Sequence, residues 1–140
     1  METQVGPGAP LALASAMDHR QSLGKRGEDL ACEELERRGY AIIDRRFRTR
    51  CGELDIVARD GEILVFVEVK ARSGSRFGSP FEAVTWQKRQ RLSAMAEAYL
   101  FVKRLAGVAC RFDVVSILEG RSGSTVELVR GAFDMESRRR

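Results

Sequence analysis

The sequence predicts an α/β domain, a mixed central sheet flanked by helices in the order α-β-β-β-α-β-β. Three observations carry this prediction. Helix-period and strand-like segments follow one another in that order along the chain. Asp60-Gly61, set between two strand-like runs, is a hairpin signal, because both residues tolerate positive φ. Ile63-Leu64-Val65-Phe66-Val67 is apolar on both faces, the pattern of a central strand covered from two sides.

The elements are expected as follows. Residues 1–20 read as a loose extension. A signal peptide is the rival reading, weakened by Glu2, by the lack of an early Lys or Arg, and by Pro7 and Pro10. Residues 22–38 read as a helix with Leu23, Leu30, Ala31 and Leu35 on its apolar stripe, small Gly24 and Gly27 beside it, and Gly39 just past its end. Tyr40 to Arg48, Glu53 to Arg59 and Glu62 to Lys70 read as three strands. Ser79-Pro80-Phe81-Glu82 has the composition of a helix start, with a capping Ser, Pro in the first turn and Glu closing a capping box. That helix should run to about Arg104, with Leu92, Met95, Ala96, Tyr99 and Val102 on one face. Arg111 to Leu118 and Thr125 to Arg130 complete the sheet. The domain then spans residues 21–133, followed by a basic tail at 134–140.

Composition narrows the chemistry. The chain has 140 residues, one domain's worth, with 24 basic and 20 acidic residues. The charges of the two flanks cancel, so the net +4 belongs to the domain. Such a balance permits a polyanionic partner without requiring one. Arg outnumbers Lys 20 to four, which suits phosphate recognition and equally fits a bias in genomic base composition. No apolar run approaches the roughly 20 residues of a membrane span. Cys32, Cys51 and Cys110 are odd in number and widely spaced, against a disulfide framework or zinc knuckle and in keeping with a reducing cytoplasm. His19 is the sole histidine, so His/Cys zinc centres and His-dependent nucleophilic devices lack parts. Any catalysis would rest on carboxylates, lysine and a hard metal ion.

One constellation answers that description. With Asp60-Gly61 as a two-residue turn, Arg59 pairs with Glu62, Val57 faces Leu64, Asp55 faces Phe66 and Glu53 faces Glu68. Glu53, Asp55, Glu68 and Lys70 then project from one face, with Asp55 diagonal to Glu68. A bulge near Gly52 would change this register. Carboxylates so placed can share a cation, and charges at the end of an apolar strand are costly unless paired or metal-bound. The plainer alternative is an ion pair, Glu68–Lys70 or Asp55–Lys70, at the sheet margin.

Gly52-Glu53-Leu54-Asp55-Ile56-Val57-Ala58 together with Leu64-Val65-Phe66-Val67-Glu68-Val69-Lys70-Ala71-Arg72 resembles the signature of the YraN family. These are small bacterial proteins similar to Holliday-junction resolvases, within the PD-(D/E)XK restriction-endonuclease-like superfamily. Gly24, Gly27, Glu28 and Ala31, then Phe77, Gly78 and Pro80, Lys88, and Arg111-Phe112-Asp113 extend the likeness over about residues 22–130. The resemblance implies a restriction-endonuclease-like fold and an Mg²⁺-dependent endonuclease, with Mn²⁺ as a substitute, acting on branched or single-stranded DNA. It implies Asp55 and Glu68 as metal ligands, Lys70 as the residue that orients the attacking water and stabilises phosphate charge, and Glu28 as a helix-borne acid completing the metal site. From its place on the helical wheel alone, at the edge of the apolar stripe, Glu28 is expected to face solvent, with the site as the alternative. Glu53 is expected to support the site or to pair with a neighbouring arginine.

Contacts to nucleic acid are expected from Lys88, which continues the apolar line of the second helix toward the sheet, and from Arg45, Arg46, Arg48 and Arg50, and Arg72 and Arg76. A solvated surface is the rival reading for the arginines. Trp86 and Phe77 are expected to pack in a core or hinge, base stacking being the alternative. Nothing resembles a groove-reading helix, so recognition should be of shape and backbone. Cutting two strands of a junction would favour a symmetric homodimer, though no dimer face is identifiable. The rival function is a non-catalytic nucleic-acid-binding or adaptor protein that retains the fold.

Overall fold

A computed structural model describes residues 25–73 and 85–134. Helix α1 covers residues 25–37. Strands β1 (Ala41–Thr49), β2 (Gly52–Asp60) and β3 (Ile63–Ser73) follow, then helix α2 (Trp86–Val102) and strands β4 (Cys110–Gly120) and β5 (Gly123–Phe133). The predicted order α-β-β-β-α-β-β is the observed one. The expected extension at 1–20, the basic tail and the Ser79–Glu82 helix start lie outside the described residues. The helix that reaches Val102 starts at Trp86, capped by Thr85, whose hydroxyl accepts the Lys88 N–H at 3.1 Å.

The five strands form one open sheet in the order β1-β2-β3-β4-β5. Each neighbouring pair is antiparallel except β3 and β4, which run parallel, with α2 in the connection between them. The all-apolar run of β3 is explained by its place: it is the middle strand, buried on both faces. Val65 and Val67 pack with Ala31 and Leu35 of α1 on one side. Leu64 and Phe66 pack with Leu92, Met95, Ala96 and Tyr99 of α2 on the other. Val102, expected on the apolar face of α2, is instead 59% exposed. Trp86 is equally exposed, against the expected core or hinge packing. Among the described residues no helix is long and apolar enough to cross a membrane.

Two glycines matter to this packing. Gly39 closes α1 at φ 94°, as predicted for the position past the last turn. At Gly27 a Cβ would stand 3.2 Å from the Ala71 Cβ, so its absence lets α1 settle directly on β3.

The hairpin register differs from the sequence expectation. Asp60 pairs with Ile63, Arg59 with Leu64 and Val57 with Phe66, so the turn is Gly61-Glu62. Gly61 alone has positive φ, 65°, the requirement of a type II′ turn at its first central residue. The reason lies outside the hairpin. Arg111 of β4 binds the Asp60 carboxylate at 2.8 Å and draws that residue out of the turn into the ladder. Arg111 also donates to Asp113 and to the Tyr40 hydroxyl, and Tyr40 donates to Asp113 at 2.6 Å. Asp113 is fully buried and accepts a further bond from the Gly131 N–H. This network ties β2, β4, β5 and the start of β1 together.

Candidate active site

The register change moves residues by two places along β3, so alternation still puts Asp55, Glu68 and Lys70 toward one side of the sheet. What changes is their relation. The ladder between β2 and β3 ends at Ile56–Val67, and Asp55 is next to follow, across from Glu68 rather than diagonal to it. There its side chain takes over: Oδ2 of Asp55 accepts the Val69 N–H at 2.8 Å.

A local break in β2 accompanies this. Val57 and Leu54 both face the α2-side core, although strict alternation would turn them to opposite faces. The break falls at Asp55. On β1, Arg46 stands in the matching gap between the pairs Arg45–Ile56 and Phe47–Leu54, with φ 57°, a left-handed conformation rare for arginine. The β1–β2 register shift itself falls between Ile42 and Asp44, and from Arg45–Ile56 to Thr49–Gly52 the pairing keeps one register, so the bulge considered near Gly52 is not found between these strands.

Glu68 and Lys70 each have side chains 12% exposed. Oε2 of Glu68 meets Nζ of Lys88, from α2, at 2.8 Å and Nζ of Lys70 at 4.0 Å. Lys88 thus leans onto the sheet as its helical spacing suggested. A pocket of about 150 Å³ opens at this point. Asp55, Glu68 and Glu53 line it from the strands, Lys88 and Arg91 from α2, and Leu92 and Met95 form an apolar side. Burial, then the charge of Glu68, pushes the Asp55 carboxyl up to about 7, while the Val69 N–H pulls against the rise. Glu28 adds to it and Lys88 opposes it. Burial alone would lower the Lys88 ammonium's pKa, but the Glu68 carboxylate holds it above the usual lysine value.

The remaining expectations separate. Glu28 is buried, not solvent-facing, yet it does not line the pocket: its Oε1 accepts from Arg46 at 2.9 Å and Arg45 at 3.3 Å. Arg45 also binds Asp29 at 2.8 Å, so Arg45 and Arg46 serve α1 rather than forming a bare basic surface. Glu53 pairs with Arg48 at 3.1 Å, the arginine alternative considered for it. Arg76 and Phe77, and the side chain of Arg72, lie outside the described residues. Arg91 and Cys51 also line the pocket, though the sequence reading assigns neither to the site. The spacing of Arg91, three residues after Lys88 on one helix face, could have shown the first.

Among the described residues no three Asp, Glu, His or Cys side chains gather into a metal-holding group. The donor set is a carboxylate pair, Asp55 and Glu68. Such a pair fits Mg²⁺, which commonly takes one or two carboxylates and completes its shell with waters and substrate phosphates. Burial and then the charge of Glu68 disfavour the Asp55 carboxylate, a cost that a divalent cation would relieve.

Comparison with known proteins gives a consistent result. The profile of the Uncharacterised protein family UPF0102 matches residues 27–117, which include every pocket-lining carboxylate. The UPF0102 protein of Geobacter sulfurreducens is 48% identical over 118 residues, covering 84% of this chain and 92% of its own length. That of Acidothermus cellulolyticus is 46% identical over 132 residues, covering 86% and 100%. That of Desulforapulum autotrophicum is 43% identical over 119 residues, covering 85% and 98%.

Proposed function

The chain belongs to the family UPF0102, the YraN family of bacterial proteins, and on that premise we propose that it is a metal-dependent endonuclease hydrolysing phosphodiester bonds in DNA, with branched or single-stranded DNA as the substrate class. The observation that carries the reading is the meeting of Asp55, Glu68 and Lys88 in one pocket, with Nζ of Lys70 4.0 Å from Oε2 of Glu68. A bound Mg²⁺ or Mn²⁺ would supply a water of lowered pKa and neutralise charge developing on the phosphate. Asp55 and Glu68 would hold that ion. The Val69 N–H fixes one Asp55 oxygen and so sets the carboxylate's orientation. Lys70, on the same strand face as Glu68, would orient the attacking water and steady an oxygen of the phosphate. Lys88 and Arg91 extend positive charge from the pocket along α2, where a nucleic-acid backbone would run. The resemblance to PD-(D/E)XK nucleases supports the same assignment. We place two chains per junction only as a corollary of two cuts.

A cleavage panel of duplex, flap, four-way and single-stranded DNA with Mg²⁺ or Mn²⁺ tests the reading. Cleavage of branched or single-stranded substrates is expected, and Asp55→Asn and Lys70→Ala should abolish it with circular dichroism unchanged. Cleavage surviving both substitutions would refute the assignment. The second reading, a nucleic-acid-binding protein without chemistry, draws on the pairing of Glu28 with Arg45 and Arg46 and of Glu68 with Lys88, which balances the acids internally. It predicts DNA binding that is unaffected by chelation and no cleavage anywhere in the panel.

A further inference from the structure

Glu68 is the proposed ligand with the most crowded carboxylate. Lys88 reaches it from α2 at 2.8 Å and Lys70 from its own strand at 4.0 Å. Two ammonium groups therefore face the acidic pair, and the pocket is close to neutral without any added ion. The two lysines differ in what would happen if a dication came to Glu68. Lys70 is built into the central strand two residues on. Lys88 belongs to another element, on the far wall of the pocket, and its side chain is 31% exposed. Its backbone is anchored by the Thr85 cap, so the four-carbon stem can swing while the helix stays in place.

We propose that Lys88 is an electrostatic latch: its ammonium occupies the Glu68 carboxylate in the resting protein, and this ion pair and a divalent cation at Glu68 exclude one another. This rests on the metal-dependent reading above and deepens it. The latch sets a rule for the order of events. Releasing Lys88 from Glu68 leaves an ammonium at the pocket mouth beside Arg91, with a phosphodiester oxygen as its next partner. A DNA backbone that accepts Lys88 would then favour cation binding at Glu68. A cation at Glu68 would by the same amount favour the backbone, because coupling between two sites is reciprocal. The free protein would hold metal weakly and the DNA-bound protein tightly, which would confine the competent site to substrate-bound molecules.

The test is Mn²⁺ binding to the full chain by calorimetry, for the wild type, Lys88→Met and Glu68→Gln. Lys88→Met is expected to bind Mn²⁺ at least about five-fold more tightly, the lower end of common coupling factors, and Glu68→Gln to lose binding. Four lysines in the chain make a second measurement practical on the unaltered protein. The Cε resonance of Lys88 in lysine-labelled NMR should move on Mg²⁺ addition, whether or not the variant folds. Equal or weaker Mn²⁺ binding by a folded Lys88→Met, or a Lys88 resonance unmoved while metal binds through Glu68, overturns the latch and leaves the metal site standing. Mn²⁺ binding by neither the wild type nor Lys88→Met overturns the metal-dependent reading itself, and the latch falls with it.

Discussion

Replacing Asp55 by asparagine should make the metal-free protein more stable at pH 8, although it removes a proposed ligand. Burial and the nearby Glu68 raise the Asp55 carboxyl from its ordinary 3.8 to about 7. An acid with a raised folded pKa contributes stability that is fully present below about pH 4 and is lost as pH rises through about 7. At pH 8 the folded chain carries the whole penalty of ionisation. At about 1.4 kcal/mol for each tenfold change in proton affinity, the ceiling is about 4 kcal/mol. Water entering the open pocket screens part of this, so about 2 kcal/mol is the working expectation. Asparagine has no charge to bury, and its carbonyl oxygen can still accept the Val69 N–H. Urea unfolding in chelator at pH 8, 6 and 4 measures the effect. Asp55→Asn should exceed the wild type by about 2 kcal/mol at pH 8, and the gap should close toward pH 4. A variant no more stable than the wild type at pH 8, or a gap that persists at pH 4, would refute the account of a repelled, desolvated carboxylate.

Three further outcomes follow from the same geometry. Mn²⁺ at about a hundred times its dissociation constant should stabilise the wild type by about 2.7 kcal/mol at pH 7.5 and leave Glu68→Gln unmoved, as read by thermal unfolding. Asp113→Ala would strand the Arg111 guanidinium and the Tyr40 hydroxyl in a closed network, with an expected loss of about 3–5 kcal/mol in chemical denaturation. Gly27→Val would drive a branched side chain into Ala71, whose Cβ would stand 3.2 Å from a Cβ at position 27, and should cost about 1–3 kcal/mol in the same assay.

The element order was legible because it depends on local signals. Gly39 at the end of α1, the all-apolar Ile63–Val67 of the middle strand and the helical line Leu92, Met95, Ala96 and Tyr99 each state their environment within a few residues. The common facing of Asp55, Glu68 and Lys70 was legible for the same reason, since alternation along a strand has a period of two and survived a register error of two. The register itself was not legible. Asp60-Gly61 has turn chemistry, but a guanidinium 51 residues away claims the Asp60 carboxylate and shifts the turn by one residue. Glu28 illustrates the same limit: the wheel left it between site and solvent, and only Arg45 and Arg46 from β1 decide that it is buried and paired. The sequence alone thus determined which residues form the framework and which face each strand presents, because those follow from periodicity and backbone conformation. The partner of each charge was decided only by tertiary structure, since an ion pair depends on which distant strands and helices are brought within a few ångströms.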